Sequence, residues 1–544
     1  MSDEIRHKPV AWLAPDVLAK AGAEVVLSGL FANYADKREN MGGLSDAVFT
    51  DHAAAEGDFW FDYASDVGDG YEPTYRVAHA MAQEQLTVGG RALPGGRLLV
   101  LGGDEVYPSA SWQAYQERFK APYAAAYPEG GPPRDLFAIP GNHDWYDGLT
   151  SFMRLFCQES HVGGWQTHQK RSYFAIQLPR GWWLWGIDIQ FDAYIDAPQI
   201  EYFKRAAALT KPGDQVILAT AKPSWVHVSA AEPRPQSWMS VQFFTERIVC
   251  SNGATLALTV TGDLHHYSRY AVAAPRAAEL SAGGGDLITA GGGGAYLSPT
   301  HWLPERLALP RVEPDEPVQP YELVARWPDR ETSLQLRGGV LQHLWLMRTF
   351  SLNWLLAGLY FVLAWLLATG VRDGAPDFSA AVDAGLWALL GDAVSPTFAI
   401  VAALLLLLLR AWALYGDAPG WTGLLHGVAQ LVAIVLLTLA GLSLDPFGLA
   451  DGGVWLAYVN ALVVGVVGAL LVARVILVAY LWLNQVPGGR AHANEVFAAQ
   501  SRQAGTRFKH FLRLHISAEG DLTVYAIGLE GEPALIDEPV TVKR

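Results

Sequence analysis

Residues 349–484 contain several runs of uncharged, largely apolar residues, each about as long as a bilayer is thick, and no other feature limits the fold of this chain as strongly. Residues 349–371 and 421–444 carry no Asp, Glu, Lys or Arg, and 393–409 and 452–473 are further uncharged runs, the last followed by Arg474. A helix in hydrocarbon satisfies its own backbone and needs no polar stripe, whereas a soluble core helix usually keeps one. The reading is four spans, which return the chain to its starting side. Orientation follows the basic residues: Arg337, Arg348, Arg410 and Arg490 flank one side, while Asp373, Asp377, Asp383, Asp392, Asp445 and Asp451 crowd the other connections. The positive-inside rule then places both termini in the cytoplasm, with the protein multi-pass in the cytoplasmic membrane. Arg474 is expected to snorkel from one end of the last helix.

The rest of the chain reads differently. Short apolar runs at 98–101, 136–139, 183–187, 216–219 and 256–260 have the length of buried strands, and most are followed by glycine, proline or charge. Segments 75–85 and 199–209 have helical periodicity. This is an α/β (α+β) pattern, in which ligands gather outside the carboxyl ends of strands. The organisation expected is a helical segment over 1–57, with 27–40 as an amphipathic helix packed on the next domain; a catalytic domain over 58–340; the membrane region over 345–484; and a cytoplasmic tail over 485–544. In that tail, 508–529 alternates as a β pair around Glu519, Gly520 and Asp521 and is expected to dock on the catalytic domain.

Composition excludes several functions. A formal net charge of -15 argues against a nucleic-acid partner. The two cysteines, Cys157 and Cys250, make neither a disulfide framework nor a thiolate cluster, so any metal must be held by oxygen and nitrogen. No secretion signal is evident, since Pro15 and Asp16 interrupt the first apolar stretch. The spans lack paired acids or repeated broken helices, which disfavours a transporter.

Four segments carry the chemistry. Asp66-Val67-Gly68-Asp69-Gly70 follows an apolar run ending at Ala64, and Gly103-Asp104-Glu105-Val106-Tyr107 follows the run at 98–101. Gly141-Asn142-His143-Asp144 and Gly262-Asp263-Leu264-His265-His266 follow two more strands. Each acid or amide alone is most often a turn former. Together they bring oxygen and imidazole ligands to strand ends in the order a two-metal site requires.

Gly-Asn-His-Asp at 141–144, preceded by Gly-Asp at 103–104, resembles the calcineurin-like metallophosphoesterase superfamily. Asp66-x-Gly68 and Asp104-x-x-Tyr107 are most similar to its purple acid phosphatase variant. The resemblance covers roughly residues 58–300. It implies a metallophosphoesterase-type β sandwich flanked by helices, here followed by a four-helix transmembrane region, and hydrolysis of a phosphate mono- or diester by metal-bound hydroxide.

Carried over by position, the resemblance implies that Asp104 bridges two divalent or trivalent ions (Mn, Fe, Mg or Zn), with Asp66, Tyr107 and His265 on the first and Asn142 on the second. One carboxylate can neutralise two cations about 3.5–4 Å apart, which then clamp the attacking and leaving oxygens. His143 is expected beside the scissile bond. The chain also departs from the pattern. Where a histidine is expected after the fourth strand it has Ala221 and Lys222, and where Gly-His-x-His is expected, Asp263 replaces one imidazole. Asp263 can ligate hard ions; His227 or His266 are alternatives for the missing ring. Lys222 would meet substrate phosphate as a point charge. Arg171, His266 and His301 are further substrate-binding candidates, and the glycine run 291–294 would bring backbone near the site. The expected partners are the lipid bilayer and a lipid-linked or membrane-proximal phosphate ester. The alternative is a phosphoesterase-fold sensor or scaffold with little or no catalysis.

Overall fold

A computed structural model describes residues 6–12, 17, 20, 47–158, 161–189, 194–229, 232–273, 284–338, 350–374, 395–444, 454–484, 491–498 and 507–544. The amphipathic helix expected over 27–40 lies outside the described residues. The chain divides into two compact units, one of Met1–Val10, Lys20–Ser333 and Ser501–Arg544, the other of Ala11–Ala19 and Leu334–Gln500.

The first unit is built on two sheets. One runs through Ala534–Leu535, Leu522–Gly528, His510–Ile516, Phe59–Ala64, Leu98–Leu101, Arg134–Ala138, Trp165–Thr167 and His161–Val162. The other runs through Arg306–Leu309, Gln319–Trp327, Tyr267–Val272, Asp286–Ala290, Thr255–Thr261, Gln215–Thr220, Trp182–Ile187 and Phe174–Gln177. The apolar run at 98–101 is a strand over the same residues, and the other four runs are strands shifted or extended by a residue or two. These strands are buried on both faces, so they read as continuous apolar runs. Alternation along them sorts two cores. Phe61, Tyr63, Val100, Ile217, Ala219 and Val260 share the layer between the sheets. Val216, Leu218, Trp183 and Trp185 face outward on the second sheet, where Phe203 of Ala197–Leu209 and Phe244 of Gln236–Arg247 pack against Trp185, and Leu99 and Leu101 face outward on the first.

Phe59–Ala64, Leu98–Leu101 and Arg134–Ala138 pair in parallel, as do Trp182–Ile187, Gln215–Thr220, Thr255–Thr261 and Asp286–Ala290. Antiparallel strands complete both sheets. One is His510–Ile516, which pairs with Phe59–Ala64 in the register Phe59 to Ile516 through Tyr63 to Leu512. The fold is therefore a mixed α/β sandwich with helices on its outer faces.

In the second unit, Pro396–Tyr415, Gly420–Leu444 and Ala457–Asn484 are long and apolar enough to cross a membrane, by length and composition. Phe350–Gly374 is also helical, with a shorter apolar run at Leu356–Val371. Four spans were expected, and three meet the full length among the described residues. Arg474 falls inside the last of these helices, directly after a π-helical turn Gly468–Ala473.

Candidate functional site

The acids predicted from sequence sit where parallel strands end. Asp66 follows Phe59–Ala64, Asp104 follows Leu98–Leu101 and Asp263 follows Thr255–Thr261. All three have positive φ, at 61°, 56° and 63°. A non-glycine residue there costs on the order of 1–3 kcal/mol and persists only where its surroundings over-determine it. Hydrogen bonds do so here. Asp66 N donates to Gly103 O at 3.0 Å, and Val67 N to Asp104 O at 3.0 Å. Asp104 N donates to Asp144 Oδ2 at 2.8 Å, and Asp263 N to Asp66 Oδ2 at 3.0 Å.

The Tyr107 hydroxyl is the hub. It lies 2.8 Å from Asp66 Oδ1, 3.2 Å from Asp104 Oδ2 and 3.1 Å from His265 Nε2, and His265 Nε2 is 3.3 Å from Asp66 Oδ1. All four side chains are buried. Burial, then the charges of Asp66, Asp144 and Asp263, push the Asp104 carboxyl well above the usual carboxylate range. Burial, then Asp104 and Asp66, push the Tyr107 phenol up. The phenol has one hydrogen for the two carboxylates it meets, so the cluster holds more lone pairs than that hydrogen can serve.

That arrangement fits a cation. Oxygen and nitrogen donors sit about 2.0–2.2 Å from a first-row metal, which spaces neighbouring donors about 3.0–3.4 Å apart on octahedral or tetrahedral edges. The four distances above, 2.8 to 3.3 Å, fall close to that spacing. Among the described residues, His, Cys, Asp and Glu side chains alone nowhere form a set of three or more able to hold a metal ion. The two observations agree once the phenol is counted, because Tyr107 is a donor atom that meets Asp66, Asp104 and His265 alike.

The residues assigned to a second ion are placed otherwise. Asn142 Nδ2 donates to Tyr146 Oη at 3.2 Å, and Asp263 is half-buried. A Cβ added at Gly103 would lie 2.9 Å from Gly141 N and 3.2 Å from Ala221 Cβ. Position 221 therefore does stand beside the Asp104 loop, and it offers a methyl group. Lys222, next in sequence, is half-buried.

His143 N donates to Asp104 Oδ1 at 2.9 Å. Its Nδ1 lies 2.6 Å from Pro108 O, which as a carbonyl accepts, so Nδ1 carries the hydrogen. The ring packs against Tyr107 and Tyr146, and burial pulls its pKa down to about 4.

The three substrate-binding candidates are interior. Arg171 is 2% exposed, and its guanidinium donates to Tyr173 Oη at 2.7 Å and faces the Tyr173 and Tyr202 rings. His266 is wholly buried, and burial, then the charges of His510 and His265, pulls its pKa to about 3. His301 is buried too, with Nδ1 2.9 Å from Ser333 Oγ. Aromatic neighbours and the Ser333 helix enclose these side chains, which local sequence does not reveal.

Two structural roles were missed. Asp144 gathers three backbone N–H groups, accepting from Gly141 at 2.8 Å as well as from Asp104 and Glu105. It stood in the quoted motif, but only as its last letter. Gly68 lacks a side chain for a steric reason: a Cβ there would meet Glu105 O at 2.1 Å.

No family model matches the chain, and no curated protein matches it. Among solved structures, it is similar to GAP50, described as the anchor in the inner membrane complex of Plasmodium, at 11% identity and a TM-score of 0.33, over 52% of this chain and 94% of that one. It is also similar to the purple acid phosphatase PPD1 from seeds of yellow lupin (Lupinus luteus), at 12% identity and a TM-score of 0.28, over 45% of this chain and 46% of that one. A third structure is PhoD, at 14% identity and a TM-score of 0.29, over 45% of this chain and 59% of that one. Against the last two, the chain spans about half the length of the structure it matches. The case for the site rests on its own geometry.

Proposed function

We propose that the chain is a membrane-anchored, metal-dependent phosphoesterase that hydrolyses a phosphate mono- or diester. The observation that carries this reading is the buried, acceptor-rich cluster of Asp66, Asp104, Tyr107 and His265 at strand ends, with the three acids of the site held at positive φ. In this reading Asp66, Tyr107 and His265 hold one ion, Asn142 and Asp263 contribute to a second, and Asp104 lies between. Bound ions would supply Lewis acidity and lower the pKa of water to near neutrality. His143, turned by its Nδ1 hydrogen toward Pro108 O, presents the other edge of its ring to the scissile bond. Lys222 meets the substrate phosphate.

The pairing of Phe59–Ala64 with His510–Ile516 supports an even number of crossings. Segments before and after the helical unit belong to one folded body, so both must lie on one side of a bilayer. With the three long helices, Phe350–Gly374 then supplies a fourth span. In this reading the sandwich and the C-terminus lie in the cytoplasm, in reach of a lipid-linked or membrane-proximal ester, which the basic residues Arg337, Arg348, Arg410 and Arg490 support.

The test is elemental analysis of the purified protein with turnover of bis(4-nitrophenyl) phosphate and 4-nitrophenyl phosphate. Bound Mn, Fe, Mg or Zn, and a loss of at least about 100-fold in kcat on Asp104→Asn, are expected. Metal-free protein without turnover would sink the proposal. It would favour a second reading, a ligand sensor of the same fold, which the methyl group at Ala221 beside the Asp104 loop supports.

A further inference from the structure

The strand His510–Ile516, which follows the helical unit in sequence, reaches the back of this site. His510 N donates to Gly292 O at 3.1 Å, and a Cβ at Gly292 would lie 2.0 Å from His510 Nδ1, so ring and loop are in close contact. One residue earlier, the Lys509 ammonium is wholly buried and donates to Ala295 O. The loop it grips lies on the Asp66 segment: Ala295 N donates to Asp66 O at 2.8 Å and Gly293 N to Ser65 O at 2.9 Å. The main chain of Lys509 is itself fixed, since Leu529 N donates to its carbonyl at 2.7 Å.

We propose that Lys509 is a positioning residue for the cation site, gripping the loop 291–295 from behind so that it fixes the backbone on which Asp66 is mounted. A segment that follows the helical unit in sequence thereby completes a site whose ligands all precede it. The side chain suits this task. Its ammonium has a hydrogen for the Ala295 carbonyl, and the charges of Asp69 and Asp66 help retain that ammonium, whose pKa burial pulls down to about 7.

The inference rests on the cation-site reading above. It is tested by calorimetric titration of Mn2+ into wild type, Lys509→Met and Lys509→Arg, with thermal unfolding to confirm that each is folded. Removing a group that orients a metal ligand costs about 10- to 100-fold in affinity, so Lys509→Met is expected to bind Mn2+ at least tenfold more weakly. Lys509→Arg keeps the cationic donor and is expected to stay within about threefold of wild type. Unchanged affinity in Lys509→Met overturns the inference and leaves the cation site standing. So does tighter binding, the sign of an ammonium that merely repels the ion. Wild type that takes up none of Mn2+, Fe2+, Mg2+ and Zn2+ overturns the cation site and this inference together. If Lys509→Met does not fold, Gly292→Ala decides, because its methyl group pushes His510 off the same loop: a comparable loss supports the grip, and wild-type affinity overturns it.

Discussion

The sandwich and the helical unit bury opposite things. The sandwich encloses large aromatics such as Trp182, Trp183, Trp185 and Trp225, and buried charges such as Arg513 and Asp62 pair with each other. In Gly420–Leu444 the buried face is Gly423, His426, Gly427, Gln430, Ile434, Thr438 and Leu442, while Trp421, Leu425 and Leu436 lie exposed. Small and polar residues pack inside, and a Cβ at Gly423 would meet Leu409 O at 2.2 Å. In water this would be a poor helix bundle. Lipid offers no hydrophobic gain for burying leucine, so close backbone packing and a few hydrogen bonds hold helices together instead. The same side chain therefore has a different worth in each unit.

The largest effect expected is on the sandwich. Arg513 meets Asp62 through Nε to Oδ1 at 2.8 Å and Nη2 to Oδ2 at 3.0 Å, both groups buried, and also reaches the carbonyls of Leu93 and Met81. Arg513→Met strands the carboxylate and should cost about 3–5 kcal/mol in urea unfolding, most of it recovered in the Arg513→Met/Asp62→Leu double variant. Full loss in the double variant would show that the pair contributes stability beyond neutralising its own burial. The next effect depends on the unit. Leu404 is 54% exposed and Leu209 is 55% exposed. Leu404→Arg near the middle of Pro396–Tyr415 should cost about 2.5–3.5 kcal/mol, read as lost membrane insertion, whereas Leu209→Arg at a helix end on the sandwich should be nearly neutral. Equal tolerance at both positions would break the comparison.

The sequence made the strand ends legible because a strand buried on both faces is a run of apolar letters whatever surrounds it. Asp66, Asp104, Tyr107 and His265 were legible for a related reason: each follows such a run at short range. What stayed hidden is long-range. Nothing near Lys509 announces that its partner is Ala295, and the Gln-Lys-Arg-Ser-Tyr setting of Arg171 does not reveal that Tyr202 closes over it. Burial of His266 and His301 likewise depends on segments far away in the chain.

Acid separates the units more gently. Burial raises the pKa of Asp135, but hydrogen bonds from His168 and His52 outweigh it and hold the carboxyl at about 2. The folded pKa lies below the unfolded one, so this contribution is complete above about pH 4 and is lost as pH falls toward 2. It amounts to about 2 kcal/mol, and Asp135→Asn should remove that part of the acid sensitivity of the sandwich in unfolding followed from pH 5 to 2. An unchanged pH slope in the variant would assign the acid sensitivity elsewhere.

The smallest effect lies inside the helical unit. Gln430 Nε2 donates to Ala473 O at 3.2 Å, in the π-helical turn, and its Oε1 accepts from Tyr360 Oη, so one amide links three helical segments. Buried in a water-soluble core, Gln430→Leu would leave a carbonyl and a phenol unsatisfied and cost about 1–3 kcal/mol. Between membrane helices such bonds average only about 0.6 kcal/mol, because the separated helices find other partners in the bilayer. A loss near 0.6 kcal/mol, measured by unfolding in mixed detergent and lipid, therefore fits helices packed in lipid. A loss near 3 kcal/mol would mean that this unit packs as a soluble core does, and the contrast with the sandwich would fail at its most polar point.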